Sequence, residues 1–178
     1  MAQHRAIPDH HLWIASAGYL ASTQLRMQAT EDAREVVAEG TALAREHRLR
    51  GWLLTPLLTA RAELLLRDAA AGGGQRAELL RQAERVGRQL RAQCRLHYEA
   101  VPPAFRVAGA LEWQRGRLDR ATDAWARSLA AAERMGAVTE QFETHDAIAR
   151  YSASVMDRSA ADQITTRLRK AVAAAVTL

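Results

Sequence analysis

Residues 104–136 read AFRVAGALEWQRGRLDRATDAWARSLAAAERMG. Ala, Leu, Arg, Glu and Gln, all strong helix formers, fill the stretch on either side of Gly116, so it is expected to be two helices joined by a tight turn. The first is placed over about Pro103 to Arg115 and the second over about Leu118 to Met135, where Gly136 ends it by allowing a left-handed cap. Gly109 and Ala121 are small enough to let the two helices cross closely, and Trp125 is expected in the core behind them. A single hairpin of this kind cannot bury its apolar face. Stacking it on others does, which produces a curved layer with a face open to a partner.

The rest of the chain divides in the same manner. A helix begins at Pro8 and runs to about Met27, and Thr30 caps a second that runs from Glu31 to about His47. A third covers about Trp52 to Ala71, with Pro56 either kinking it or, with Thr55 as cap, marking its start. Gly72-Gly73-Gly74 is a loop, and a fourth helix extends from about Gln75 to His97, before Pro102-Pro103. After the hairpin a seventh helix continues through Tyr151. Ser159 and Asp162 open a last amphipathic helix carrying Ile164, Leu168, Val172 and Val176, so residues 159–178 are expected to cap the array. Alternating strand patterns are absent. The expected fold is all-α, one domain over 1–178 of seven or eight helices stacked as antiparallel hairpins.

The 104–136 hairpin resembles a tetratricopeptide repeat. Gly109, Gly116, Ala121, Trp125, Ser128 and Leu129 stand at the repeat's small, turn and closing positions. Glu112 departs from the usual aromatic, with Trp113 one place on, and the usual closing proline is missing, with Glu133 near its place. Ala21, Ala33, Val37 and Gly40 repeat the spacing more faintly, and the pair around Gly72–Gly74 diverges further. The segment 116–151 is similar to the C-terminal repeat regions of large bacterial signalling ATPases, including LuxR-type regulators and nucleotide-cyclase-linked proteins. No Walker phosphate loop, cyclase or helix-turn-helix portion accompanies it here. The resemblance implies a regulatory or scaffold module and does not carry over ATPase or DNA-binding activity.

Composition narrows the function classes. The 178 residues are 48% hydrophobic and 25% charged with 10 Gly and one Cys, which suits a compact domain and excludes collagenous and disulfide-framework classes. The unpaired Cys94 and the want of a signal-like start lead us to expect a cytoplasmic protein, and no run approaches the ~20 apolar residues of a membrane span. The net charge of +5 is spread. Acidic residues alternate with Arg along the chain, so a mixed solvated surface is expected in preference to nucleic-acid binding.

No phosphate loop, carboxylate pair or nucleophile–base pattern appears, so no catalytic, cofactor or metal residues are assigned. Adjacent His10 and His11 point about 100° apart on a helix and lack a second ligand pair. Cys94 shares a helical face with Leu79, Ala83, Val86, Gly87 and Leu90 and is expected to act as a small buried hydrophobe. The opposite arc carries Arg81, Arg85, Arg88, Arg91 and Arg95, which together could grip a carboxylate or phosphate if that arc lines the groove. Trp13 and Tyr19, near an uncovered end, are the other candidate contacts. The expected function is non-catalytic binding of a protein or peptide segment in a groove. The alternatives are a helical-bundle sensor or enzyme, indicated by a closed pocket joining Glu112, His145 or His97, and a nucleic-acid-binding solenoid.

Overall fold

A computed structural model describes residues 9–153 and is all-α, with no strand among the described residues. Seven helices follow in order: α1 (His10–Arg26), α2 (Thr30–Glu46), α3 (Thr55–Ala70), α4 (Arg76–Gln93), α5 (Val101–Gln114), α6 (Leu118–Arg134) and α7 (Val138–Ala153). Single 3-10 turns at Trp52–Leu54 and Tyr98–Ala100 lead into α3 and α5. Pro8 and the expected capping helix at 159–178 lie outside the described residues.

Local chemistry accounts for most boundaries, and several differ from the sequence reading. Asp9 caps α1, its Oδ1 accepting from the His11 and Leu12 amides at 3.1 and 3.2 Å. Thr30 is the first residue of α2 and not its cap; Ala29 holds the cap position without a side-chain bond. Pro56 sits in the first turn of α3, where its missing N–H leaves no intrahelical bond unmade, so it starts the helix and does not kink it. α4 stops at Gln93, short of His97, and α5 begins at Val101, two residues before Pro103. Both prolines are therefore tolerated within the first turn of α5.

Four helices end by the same device. Gln28, Arg48, Gly116 and Gly136 adopt positive φ of 64°, 51°, 75° and 63° just beyond α1, α2, α5 and α6. The next amide then reaches back five residues: Ala29 to Gln24, Leu49 to Ala44, Arg117 to Glu112 and Ala137 to Ala132, each at 2.9 Å. This pairing satisfies carbonyls that the helix end leaves open.

Each helix packs on its successor, and each odd-numbered helix also packs on the next odd one. Thus α1, α3, α5 and α7 form a continuous layer, and α2, α4 and α6 each bridge two of its members. Small residues permit the close approaches. At Gly18 of α1 an added Cβ would lie 2.3 Å from the Leu57 amide nitrogen, and at Gly109 of α5 it would lie 2.4 Å from the Trp125 indole. Gly109, Ala121, Trp125 and Ser128 are all buried, and so are Ala21, Ala33, Val37 and Gly40 in the first hairpin. Trp125 anchors the larger core, in contact with Trp113 and Tyr151 at ring-centroid distances of 5.6 and 6.1 Å, and its indole N–H donates to the Arg106 carbonyl at 3.2 Å. The buried Ser128 hydroxyl lies 2.8 Å from both the Pro102 carbonyl and the Thr144 hydroxyl, which ties α5, α6 and α7 together.

The odd-numbered layer carries a polar seam. Arg106 of α5 is buried and bridges Glu63 of α3 at 3.3 Å and Glu140 of α7 at 2.5 Å. Burial works to lower its pKa, but the two carboxylates outweigh that and hold it above the ordinary arginine value. Arg67 of α3 donates to the Leu25 carbonyl at 2.6 Å, which completes the end of α1. Arg26, the last residue of α1, pairs with Glu143 of α7, so the first and last described helices are joined.

Candidate functional site

The residues of α2 at positions 34, 38, 41 and 45 recur with helical spacing and share one face, as do 61, 65 and 68 on α3. These two faces border an open groove with a volume of about 310 Å3. Val37, Leu64 and Leu65 supply its apolar lining, with Thr41 and the small side chains of Ala38 and Ala42 keeping it accessible. Arginines and one carboxylate stand along it.

The register of the two helices determines how those charges meet. Arg34 grips Asp68 with both terminal guanidinium nitrogens, at 2.8 and 3.1 Å, and also bonds Glu31 at 3.2 Å. α2 and α3 run antiparallel, so Arg45, toward the end of α2, and Arg61, seven residues before Asp68 on α3, both line the groove away from the Arg34–Asp68 pair. Neither Arg45 nor Arg61 has an ion pair among the described residues. Burial first, and then repulsion from Arg45 and from Arg85 of α4, pull the Arg61 pKa below the ordinary arginine value. One end of the groove is therefore neutralised and the other carries like charges.

The arginine row expected on α4 has a different character. Arg81, Arg85, Arg88 and Arg91 are exposed, and Arg95 lies beyond the end of the helix. Arg81 and Arg85 share Glu78, and Arg88 stands 3.7 Å from Glu84, which Arg115 also bonds at 2.8 Å, so the carboxylates of the same helix offset the row only in part. Arg85 adds to the repulsion on Arg61, but none of the five is among the groove residues. Trp13 and Tyr19 are exposed on α1, as expected for an end helix. They are not among the groove residues.

The groups named for an enzymatic pocket are held separately. Glu112 pairs with Arg115 and Arg117, His97 packs on Trp52 with ring centroids 6.4 Å apart, and His145 is exposed on α7. No cluster of three or more His, Cys, Asp or Glu suited to a metal ion occurs among the described residues, and none of their helices is long and apolar enough to cross a membrane.

Cys94 is half-buried against the larger core, its sulfur 3.5 Å from the Leu90 and Ala100 carbonyls, and burial raises its pKa. A raised pKa means less thiolate at a given pH. Iodoacetamide labelling of the folded chain at pH 8 should accordingly run several-fold slower than labelling of the denatured chain, followed by mass spectrometry. Equal rates would show that the thiol is neither shielded nor suppressed.

Arg34, Arg45, Arg61 and Asp68 were not singled out from the sequence. The signal available was the recurrence at 34, 38, 41 and 45 together with the seven-residue step from Arg61 to Asp68. Comparison of the chain with protein-family models, curated proteins and solved structures gives no match.

Proposed function

We propose that this chain is a non-catalytic helical-repeat module of tetratricopeptide type that binds a peptide segment, serving as a regulatory or scaffold part of a cytoplasmic bacterial signalling protein. The observation that carries the reading is the open groove between α2 and α3, apolar along its lining and charged at its edges. Such a trough suits an extended or helical segment, which gains affinity from apolar contacts and orientation from a few polar ones. The repeated helix ends and the matching buried positions of the first and third hairpins favour the tetratricopeptide assignment. The polar side chains in and around the groove hold each other or stand free, without a nucleophile and base in contact.

Peptide display against the folded full chain tests this reading. Selected peptides should bind with micromolar affinity and weaken at least tenfold on Ala38→Trp, which fills the groove from an exposed position while the far-ultraviolet circular dichroism stays unchanged. Failure to enrich any peptide, or selected peptides indifferent to Ala38→Trp, would remove the groove as the binding site.

A further inference from the structure

We propose that Arg45 and Arg61 form a carboxylate-binding subsite at one end of the α2–α3 groove, taking an acidic side chain of the bound peptide. The inference rests on the peptide-binding reading and specifies one contact within it. Arg45 of α2 and Arg61 of α3 both line that end. Packing arginines against each other opposes folding, because like charges repel more strongly when partly withdrawn from water. The structure nevertheless leaves Arg61 half-buried in the same groove as Arg45, with Arg85 of α4 adding to the repulsion. A guest anion would remove that repulsion by the kind of pairing that Asp68 gives Arg34 at the other end.

The choice of carboxylate follows from the groove itself. It already holds one carboxylate, Asp68, in the two-pronged grip that a planar guanidinium gives a planar oxyanion. Arg61 lies seven residues from Asp68 on the same face of α3, about 10 Å along the helix axis. One end thus has its carboxylate built in, and the other presents arginines without one. Arg85 also bonds Glu78 at 3.2 Å, an exposed pair that screens it only in part. Arg45 and Arg61 have no such partner among the described residues. Apolar residues lie between the two ends, so the ligand expected is a segment with an acidic residue beside an apolar one.

Removal of the Arg61 charge separates a binding role from a structural one. In the full chain without ligand, Arg61→Met should raise the thermal midpoint by a few degrees, since it keeps an apolar stem and relieves repulsion. A supporting arginine would lower it. Nuclear magnetic resonance of the arginine Nε–H groups should show the Arg61 signal shifting saturably with succinate at constant ionic strength, and Arg45→Met should weaken that response about tenfold. Inorganic phosphate serves as a second probe, and tighter binding of phosphate than of succinate would overturn the carboxylate assignment. So would an unchanged succinate response in Arg45→Met, or a lowered midpoint in Arg61→Met.

The peptides selected by display complete the test. Glu- or Asp-containing sequences should dominate and should lose about tenfold in affinity on Arg61→Met or on acid-to-amide replacement in the peptide. Peptides that need the groove but are indifferent to both changes defeat the subsite and leave the peptide-binding reading standing. A saturable succinate response with no peptide enriched does the reverse.

Discussion

Gly18→Ala is expected to lower the thermal midpoint by roughly 10 °C, corresponding to about 3 kcal/mol. Alanine is the better helix former by about 1 kcal/mol, so propensity alone would make the substitution stabilising. Sterics reverse the sign. The added carbon would lie 2.3 Å from the Leu57 amide nitrogen and 2.4 Å from the Pro56 carbonyl carbon, and backbone atoms in the first turn of a helix cannot rotate away as a side-chain tip can. Helices α1 and α3 would have to separate, which exposes the cluster built from Ala21, Leu25, Ala60 and Leu64. Gly87 of α4 provides the control, because a Cβ there meets nothing nearer than Val107 at 3.8 Å. Gly87→Ala should therefore raise stability by up to about 1 kcal/mol. Thermal melts of the two variants should move in opposite directions; a shared direction would mean that the α1–α3 approach is not what limits Gly18.

The largest single loss is expected at Trp125, whose replacement by alanine should cost about 4 kcal/mol. The indole is fully buried at the meeting of α5, α6 and α7, touches the rings of Trp113 and Tyr151, and donates its N–H to the Arg106 carbonyl. Tyr151 is itself buried, and that burial pushes its pKa up to about 12. The same indole fills the space above Gly109, with two of its atoms 2.4 Å from where a Cβ would be. Gly109→Ala and Trp125 should consequently be coupled. In the parent chain the glycine replacement should destabilise by about 2 kcal/mol, whereas in a Trp125→Leu background most of that penalty should vanish. Urea melts of the four proteins in the cycle measure the coupling. Additive effects would show that the glycine and the indole do not share one space.

Legibility in the sequence followed the range of the interactions. The α5–α6 hairpin could be read because its determinants are local: a turn glycine at 116, a cap glycine at 136, and small residues twelve positions apart. Trp125 was placed in the core for the same reason. The end of α4 and the start of α5 were missed by a few residues because the 3-10 turn at Tyr98–Ala100 leads the chain into α5 before the two prolines. The groove was illegible for a different reason. Arg34, Arg45, Arg61 and Asp68 are ordinary surface residues until α2 and α3 take a register, and that register depends on the course of the chain from His47 through the 3-10 turn at Trp52–Leu54. The row on α4 was visible as a row, but the sharing of Glu78 by Arg81 and Arg85, and of Glu84 by Arg88 and the distant Arg115, depends on rotamers and packing that spacing does not specify.

The identical bond that closes α1, α2, α5 and α6 spans only five residues in each case. Each reversal of direction can therefore be decided by the chain's immediate neighbourhood, before any distant partner has been made. For a polypeptide emerging from the ribosome, a hairpin of this kind can take shape as soon as its own residues have cleared the exit, and docking between hairpins follows.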